Sequence, residues 1–312
     1  MNIYYGLGSF KKLKKNLVVT IGSFDGLHKG HIKVLERVFA VSRENSSENC
    51  VITFEPHPRI LLSEIKENFL LSTLQEKIYL LESTNLVDNI LAIPFDKSFS
   101  QISSVDFIES IILKNCTPNS IIVGYDTHFG KDRMGDVTLL KKILLDYKTK
   151  IQIIEPEIVN GQVISSSIIR KYIKFGEVTM ANELLGYKYF LQGQVVRGEG
   201  RGAILGFPTA NIEFTDKIKI LPQNGVYAVS VNYDNKGYRG MMNIGKRPTF
   251  EESLSMEVHI IDFNDNLYNK MLKISLIKRL RDEVKFKSSA DLVKQLKKDK
   301  EEIKNLKEAL WH

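Results

Sequence analysis

The sequence predicts a doubly wound α/β domain over residues 1–186, followed over residues 187–312 by a small antiparallel β-barrel that ends in a helix. Three observations carry this. Up to about residue 185, short apolar runs recur with helical patterns between them. After Glu183-Leu184-Leu185-Gly186 the texture changes to short strand-like runs separated by Gly, Asn and Asp. From Ser288 to Trp311, apolar residues return at helical spacing. A chain of 312 residues also has the length of two domains.

In the first half the apolar runs are Leu17–Ile21, Cys50–Phe54, Ile90–Ile93, Ile121–Val123 and Ile151–Ile154. Near-continuous apolar strands separated by helices are the pattern of a parallel sheet covered on both faces. Thr73 with Glu76, and Ser103 with Asp106, have capping-box spacing at helix starts. In such sheets, ligands bind beyond the carboxyl ends of the strands. In the second half, Leu191–Val196, Val226–Tyr233, Tyr238–Ile244, Met256–Phe263 and Leu272–Ile277 read as strands, with a hairpin signal at Asp234–Gly237. Closely spaced strands with turns make a small barrel. The tail carries Leu292, Leu296, Ile303, Leu306 and Leu310 on one face, with Ser288 and Asp291 at capping-box spacing, and reads as a packing helix.

Composition bounds the function. Hydrophobic content of 43% and charged content of 26% are ordinary for a globular domain. The net charge is +7, yet the lysines are scattered or in short runs without interleaved aromatics, so nucleic acid is not an expected partner. The positive balance suits small anionic substrates. Cys50 and Cys116 are the two cysteines, both in apolar contexts, which points to buried thiols in a reducing compartment. No signal peptide and no apolar run long enough to span a bilayer is visible, so the expected location is the cytoplasm, with no membrane partner. Monomer and homo-oligomer both remain open.

The first stretch with chemistry in it is Gly22-Ser23-Phe24-Asp25-Gly26-Leu27-His28-Lys29-Gly30-His31, between an apolar strand and an amphipathic segment bearing Ile32, Leu35, Val38 and Phe39. A helix N-terminus offers unpaired N–H groups and partial positive charge, hence a seat for phosphate. Two histidines three residues apart on the first turn add donors. The competing reading is an accidental pair, or half of a metal site; no acidic or Cys partner follows at metal spacing. Phe54-Glu55-Pro56-His57-Pro58 follows the second strand, its prolines stiffening a loop that presents His57. Gly124-Tyr125-Asp126-Thr127-His128-Phe129-Gly130 follows a later one. In Ile164-Ser165-Ser166-Ser167-Ile168-Ile169-Arg170, the serines are either an N-cap or, with Arg170, a compact anion clamp.

These motifs in this order resemble the nucleotidylyltransferase superfamily, and G-x-F-D-G-x-H-x-G-H resembles its bacterial FAD synthetase branch. The resemblance implies a Rossmann-like nucleotidylyltransferase domain. In it, Gly22, Phe24, Asp25, His57, Asp126, Phe129, Ser165 and Ser167 contact ATP or flavin, and His28, His31, Ser166 and Arg170 stabilise the transferring phosphate. Thr127 stands where the family usually has Phe.

In the second half, Gly200-Arg201-Gly202-Ala203-Ile204-Leu205-Gly206-Phe207-Pro208-Thr209-Ala210-Asn211 is either a Gly/Pro turn into a strand or a phosphate-wrapping loop. Thr209 and Asn211, on alternate positions of an extended segment, can face one Mg²⁺. The string resembles the G-R-x-x-G-F-P-T-A-N motif of riboflavin kinases, with Ala203 where many members have a second basic residue. Asn243-Ile244-Gly245-Lys246-Arg247-Pro248-Thr249 resembles that family's next loop, and Arg279–Phe286 its flavin- and nucleotide-enclosing run. The resemblance implies that Glu257 is the catalytic base, that Gly200, Arg201, Gly206, Pro208, Asn243, Arg247 and Arg281 hold substrate, and that Thr209 and Asn211 bind the metal. The chain is thus expected to phosphorylate riboflavin to FMN and to adenylylate FMN to FAD, with ATP as co-substrate and Mg²⁺ as cofactor. A nucleotidylyltransferase for another phosphate acceptor, a non-catalytic flavin-binding protein, or a kinase with an impaired adenylyltransferase half are the alternatives.

Overall fold

The computed structural model describes residues 1–12, 16–198, 200–214, 216–234, 236–246 and 254–311. The chain divides into two compact units, Met1–Ser166 and Ser167–His312. The first unit is built on six parallel strands: β1 (Asn2–Tyr5), β2 (Val18–Ile21), β3 (Asn49–Glu55), β4 (Asn89–Pro94), β5 (Ser120–Gly124) and β6 (Lys150–Ile154), in the order β1-β4-β3-β2-β5-β6. The five strands expected from apolar runs are β2 to β6. In β2, Val19 and Ile21 join one core with Ile52, Ile121 and Phe107, while Val18 faces Val34, Val38 and Val41 of the helix Lys29–Glu44 on the other side. Burial on both faces is why the run is apolar apart from Thr20.

Strand β1 extends the sheet along β4 and gave no signal, because its four residues mix polar and aromatic side chains and are mostly exposed. A hairpin of β7 (Ile158–Val159) and β8 (Gln162–Val163) was also unforeseen, although its turn is Asn160-Gly161, both at positive φ (51° and 75°), the strongest short hairpin signal there is. Thr73 caps the helix Leu74–Ser83 with a full capping box. Ser103 and Ser288 accept the N–H of Asp106 and Asp291, but each carboxylate turns back onto the serine hydroxyl instead of the cap N–H. Aspartate is one methylene too short for the reciprocal bond that Glu76 makes.

The second unit is a closed antiparallel barrel of β9 (Phe190–Val196), β10 (Ala210–Glu213), β11 (Gly225–Tyr233), β12 (Lys236–Lys246), β13 (Leu254–Ile260) and β14 (Met271–Arg281), ordered β10-β13-β12-β11-β14-β9. β10, inside the Gly/Pro-rich motif, is the strand the apolar runs did not show. The change of texture near residue 186 and the division of contacts at Ser166 mark different things. The helix Val178–Leu185 is tied to the barrel by Asn182, whose amide donates to the Leu276 carbonyl (2.9 Å) and accepts the Tyr189 N–H (2.7 Å).

The C-terminal helix Ser289–Lys304 packs Val293, Leu296 and Ile303 on Phe207, Met241 and Ile277. Its charged anchor is Asp299, whose side chain is 3% exposed and receives the Arg281 guanidinium at 2.8–3.2 Å. Breaking a buried pair leaves an uncompensated charge at a cost of about 3–5 kcal/mol. Arg281 is 18% exposed, so the lower figure applies. Asp299→Ala should therefore cost about 3 kcal/mol, read by urea unfolding from Trp311, the one tryptophan, which packs beside this helix. A loss below about 1 kcal/mol would remove Asp299 as the anchor.

Candidate active sites

In the first unit the strand order reverses direction at β2, which pairs with β3 on one side and β5 on the other. A crevice at the carboxyl ends of β2 and β5 follows. The loop Gly22–His28 stands there, His57 follows the neighbouring β3, and Asp126 follows β5. The loop holds Phe24 (φ 48°), Gly26 (φ 79°) and Leu27 (φ 36°) in left-handed conformations. For non-glycine residues this costs of order 1–3 kcal/mol each and persists only when the surroundings enforce it. Here they do. Gly22 N–H donates to Ile52 O (3.1 Å), Thr53 Oγ1 to Ser23 O (3.2 Å), Ser166 Oγ to Asp25 O (3.0 Å), and Gly26 N–H to Ser72 Oγ (2.9 Å). The Asp25 carboxylate, 1% exposed, accepts the N–H groups of Leu71 and Ser72 at 2.9–3.1 Å. Asp25 and Ser166 thus shape the loop.

His28 caps the helix Lys29–Glu44, its Nδ1 accepting the His31 N–H at 3.3 Å, so the neutral ring carries its proton on Nε2. The His28 and His31 rings stack, centroids 3.6 Å apart and planes 16° from parallel, and the Phe24 ring meets His31 edge-on at 5.1 Å. Gly30 lies close to His28: a Cβ there would come within 3.2 Å of its Nδ1, so the ring would have to give by a few tenths of an ångström. His57 is buried and caps its own short helix, its Nδ1 accepting the Arg59 N–H (3.1 Å) and its ring edge-on to Phe69. Asp126 is exposed, whereas the Phe129 ring sits in the core beside Phe107. Ser165 is half-buried and Ser167 exposed where the helix Ser166–Lys174 starts; Arg170 is buried on that helix, in the second unit.

In the second unit, Gly200 (φ 70°) and Gly206 (φ 78°) bracket the single turn Arg201–Ile204, and Pro208 and Thr209 lead into β10. Register then aligns one row across three strands: Asn211 on β10 opposite Glu257 on β13, and Glu257 opposite Asn243 on β12. Directly paired residues share a face of the sheet. Thr209 Oγ1 donates to Glu257 Oε2 at 3.2 Å, and Ser255 Oγ to Oε1 at 3.4 Å. Asn211 is buried against Gly198, where any Cβ would overlap its amide. Asn243 Nδ2 donates to Glu283 Oε1 at 3.3 Å; that carboxylate lies over Gly245, again where a side chain would collide. His259 donates from Nδ1 to the Pro208 carbonyl (2.8 Å) and meets Phe207 edge-on. Burial pushes its pKa below the usual histidine value, which favours the neutral ring. Arg281 is held by Asp299 on the C-terminal helix. Arg247 lies outside the described residues, as does the side chain of Arg201.

Residues 10–168 match the FAD synthetase family model, and residues 185–307 the riboflavin kinase family model. The chain belongs to the FAD synthetase family and carries a riboflavin kinase domain behind that match. Among its relatives, a bifunctional riboflavin kinase/FMN adenylyltransferase of Buchnera aphidicola is 36% identical over 97% of this chain and 98% of the relative. One of Bacillus subtilis is 35% identical over 94% and 93%. A solved structure described as a macrolide-efflux protein from Streptococcus pneumoniae matches 98% of this chain and all of that one, with a TM-score of 0.90 and 29% identity. That description is said of that protein alone; among the described residues of this chain, no helix is long and apolar enough to cross a membrane.

A metal at the Asn211–Glu257–Asn243 row would have no dedicated cage around it. Among the described residues no cluster of three His, Cys, Asp or Glu can bind an ion. Thr209 and Asn211 offer neutral oxygens beside the Glu257 carboxylate, and donation to Glu257 leaves the lone pairs of Thr209 available. Few protein ligands completed by water and substrate phosphate is the habit of Mg²⁺, so the residues fit it. Sequence reasoning missed Gly198, Leu71, Ser72, His259 as a brace, and Lys77. Gly198 was findable, since it begins the glycine run that leads into the motif; Lys77 sits unmarked in an amphipathic helix.

Proposed function

We propose that the chain makes FAD from riboflavin in two ATP-dependent steps, with residues 187–312 as the kinase half and residues 1–186 as the adenylyltransferase half. The observation that carries this is the pairing, in one chain, of the Asn211–Glu257–Asn243 row with the stacked His28–His31 pair at a helix start. Relatives named for both activities align with nearly all of it.

In the kinase half, Glu257 takes the proton of the riboflavin 5′-hydroxyl as its oxygen attacks the γ-phosphorus of ATP, and ADP leaves. Thr209 and Asn211 would hold Mg²⁺, which when bound would neutralise charge on the transferring phosphoryl group. Thr209 and Ser255 orient the Glu257 carboxylate, and His259 fixes the Phe207–Pro208 segment that delivers Thr209. In the adenylyltransferase half, a phosphate oxygen of FMN attacks the α-phosphorus of ATP and pyrophosphate departs. That nucleophile is already anionic, so the protein supplies no base. Donors at His28 and His31 and the first-turn N–H groups meet the charge that grows on the phosphorus oxygens. Arg170 takes the leaving pyrophosphate, as the family resemblance implies. The partners are small molecules, and the free, buried cysteines suit the cytoplasm.

Riboflavin, ATP and Mg²⁺ incubated with the protein should yield FMN and then FAD, separated by chromatography, and chelation should stop the sequence. No FMN would refute the kinase assignment; FMN accumulating without FAD would refute the adenylyltransferase assignment.

A further inference from the structure

Lys77, on the helix Leu74–Ser83, is 3% exposed. A lysine removed from water at this depth is costly unless its charge and its protons are met. Its Nζ donates to Thr53 Oγ1 at 3.1 Å. Burial lowers its pKa, and the charges of Asp25 and Glu55 oppose that drop. None of these partners lies on its own helix: Thr53 and Glu55 end strand β3, and Asp25 belongs to the Gly22–His28 loop.

The direction of the hydrogen bonds matters. A lysine ammonium donates and never accepts. Thr53 Oγ1 must therefore accept from Lys77, and its own hydrogen is directed elsewhere, to the Ser23 carbonyl at 3.2 Å. The line Lys77→Thr53→Ser23 ends on the loop backbone just before Phe24. Just after Phe24, the Asp25 carboxylate is gripped by Leu71 and Ser72, the residues that lead into the helix bearing Lys77. The left-handed Phe24 is thus fixed on both sides, by Thr53 of β3 before it and by the Leu71–Ser72 segment after it, and its ring is the edge contact of His31.

We propose that Lys77 is a positioning residue for adenylyl transfer, which acts through Thr53 to set the backbone just before Phe24 and so the place of His31. This rests on the reading that His28 and His31 serve that step.

The test uses the full-length chain with Lys77→Met, Thr53→Val and the double variant, and His31→Ala alongside. Both half-reactions and thermal unfolding are measured for each. Misplacing a reacting geometry by about 1 Å costs up to about 10²-fold, so Lys77→Met should lower kcat for FMN-to-FAD conversion by about ten- to a hundredfold, with FMN formation from riboflavin unchanged. Thr53→Val, isosteric and uncharged, should reproduce the loss. Because both act along one line, the double variant should be no worse than the poorer single. Multiplying losses, or a Lys77→Met enzyme within twofold of the parent, would overturn the proposal. If Lys77→Met unfolds, Thr53→Val decides by the same twofold criterion. If His31→Ala leaves FAD formation intact, the reading of the histidines falls and this inference with it. If His31→Ala impairs FAD formation while Lys77→Met does not, the inference alone falls.

Discussion

Glu257→Gln should leave a protein that converts supplied FMN to FAD at the parent rate yet makes FMN from riboflavin about 10²–10⁴-fold more slowly, the usual contribution of a positioned general base. The substitution is chosen for its shape. Glutamine keeps a carbonyl oxygen to accept from Thr209, which now donates to Oε2 at 3.2 Å, and keeps the bulk beside Asn211 and Asn243 in the same row. What it removes is the ability to accept the proton of the riboflavin hydroxyl. The effect should therefore fall on kcat, with the KM for ATP little changed, because Thr209 and Asn211 remain in place. A barrel that unfolds through loss of a buried partner would instead reduce both kcat and the unfolding midpoint, which separates chemistry from structure. Loss of both half-reactions in a folded Glu257→Gln protein would contradict the assignment of one step to residues 1–186 and the other to residues 187–312.

How far the sequence could be read depended on the kind of signal each residue leaves. Strands β2 to β5 stand out because burial on both faces keeps their centres apolar, β6 because three of its half-buried residues are isoleucine, and β1 does not because an edge strand of four mostly exposed residues has no such constraint. The residues proposed for the phosphate site are legible as strings, since glycine and histidine at close spacing have few other reasons to occur together. Their supports are not. Asp25 reads like a ligand but spends its carboxylate on the Leu71 and Ser72 N–H groups, forty-odd residues away in sequence. Phe129 belongs to a motif, yet its ring packs with Phe107 in the core. Arg281 belongs to the run expected to enclose flavin and nucleotide, and its guanidinium is bound to Asp299 on the C-terminal helix. Long-range pairing of this kind depends on the tertiary fold, which local pattern does not encode.

The same reasoning distinguishes the two histidines at the helix start, and His31→Ala is the sharper of the two possible substitutions. Its expected effect is a loss of about 10²–10³-fold in adenylyl transfer, the range for removing one preorganised donor to a charged transition state. The helix should survive, because the bond that caps it runs from the His31 backbone N–H to His28 Nδ1 at 3.3 Å and needs no side chain at position 31. His28→Ala removes that cap as well, at about 0.5–2 kcal/mol of stability, and confounds the kinetics with the fold. The stacking of the rings, 3.6 Å apart, makes a second prediction from the same variant. With His31 gone, His28 loses one wall of its seat, so the double variant His28→Ala/His31→Ala should lose much less than the product of the single losses. FMN formation from riboflavin should be unchanged in all three. Losses that multiply would mean that the two rings act independently on the phosphate; an unchanged rate in His31→Ala would move the adenylyl transfer away from this helix start.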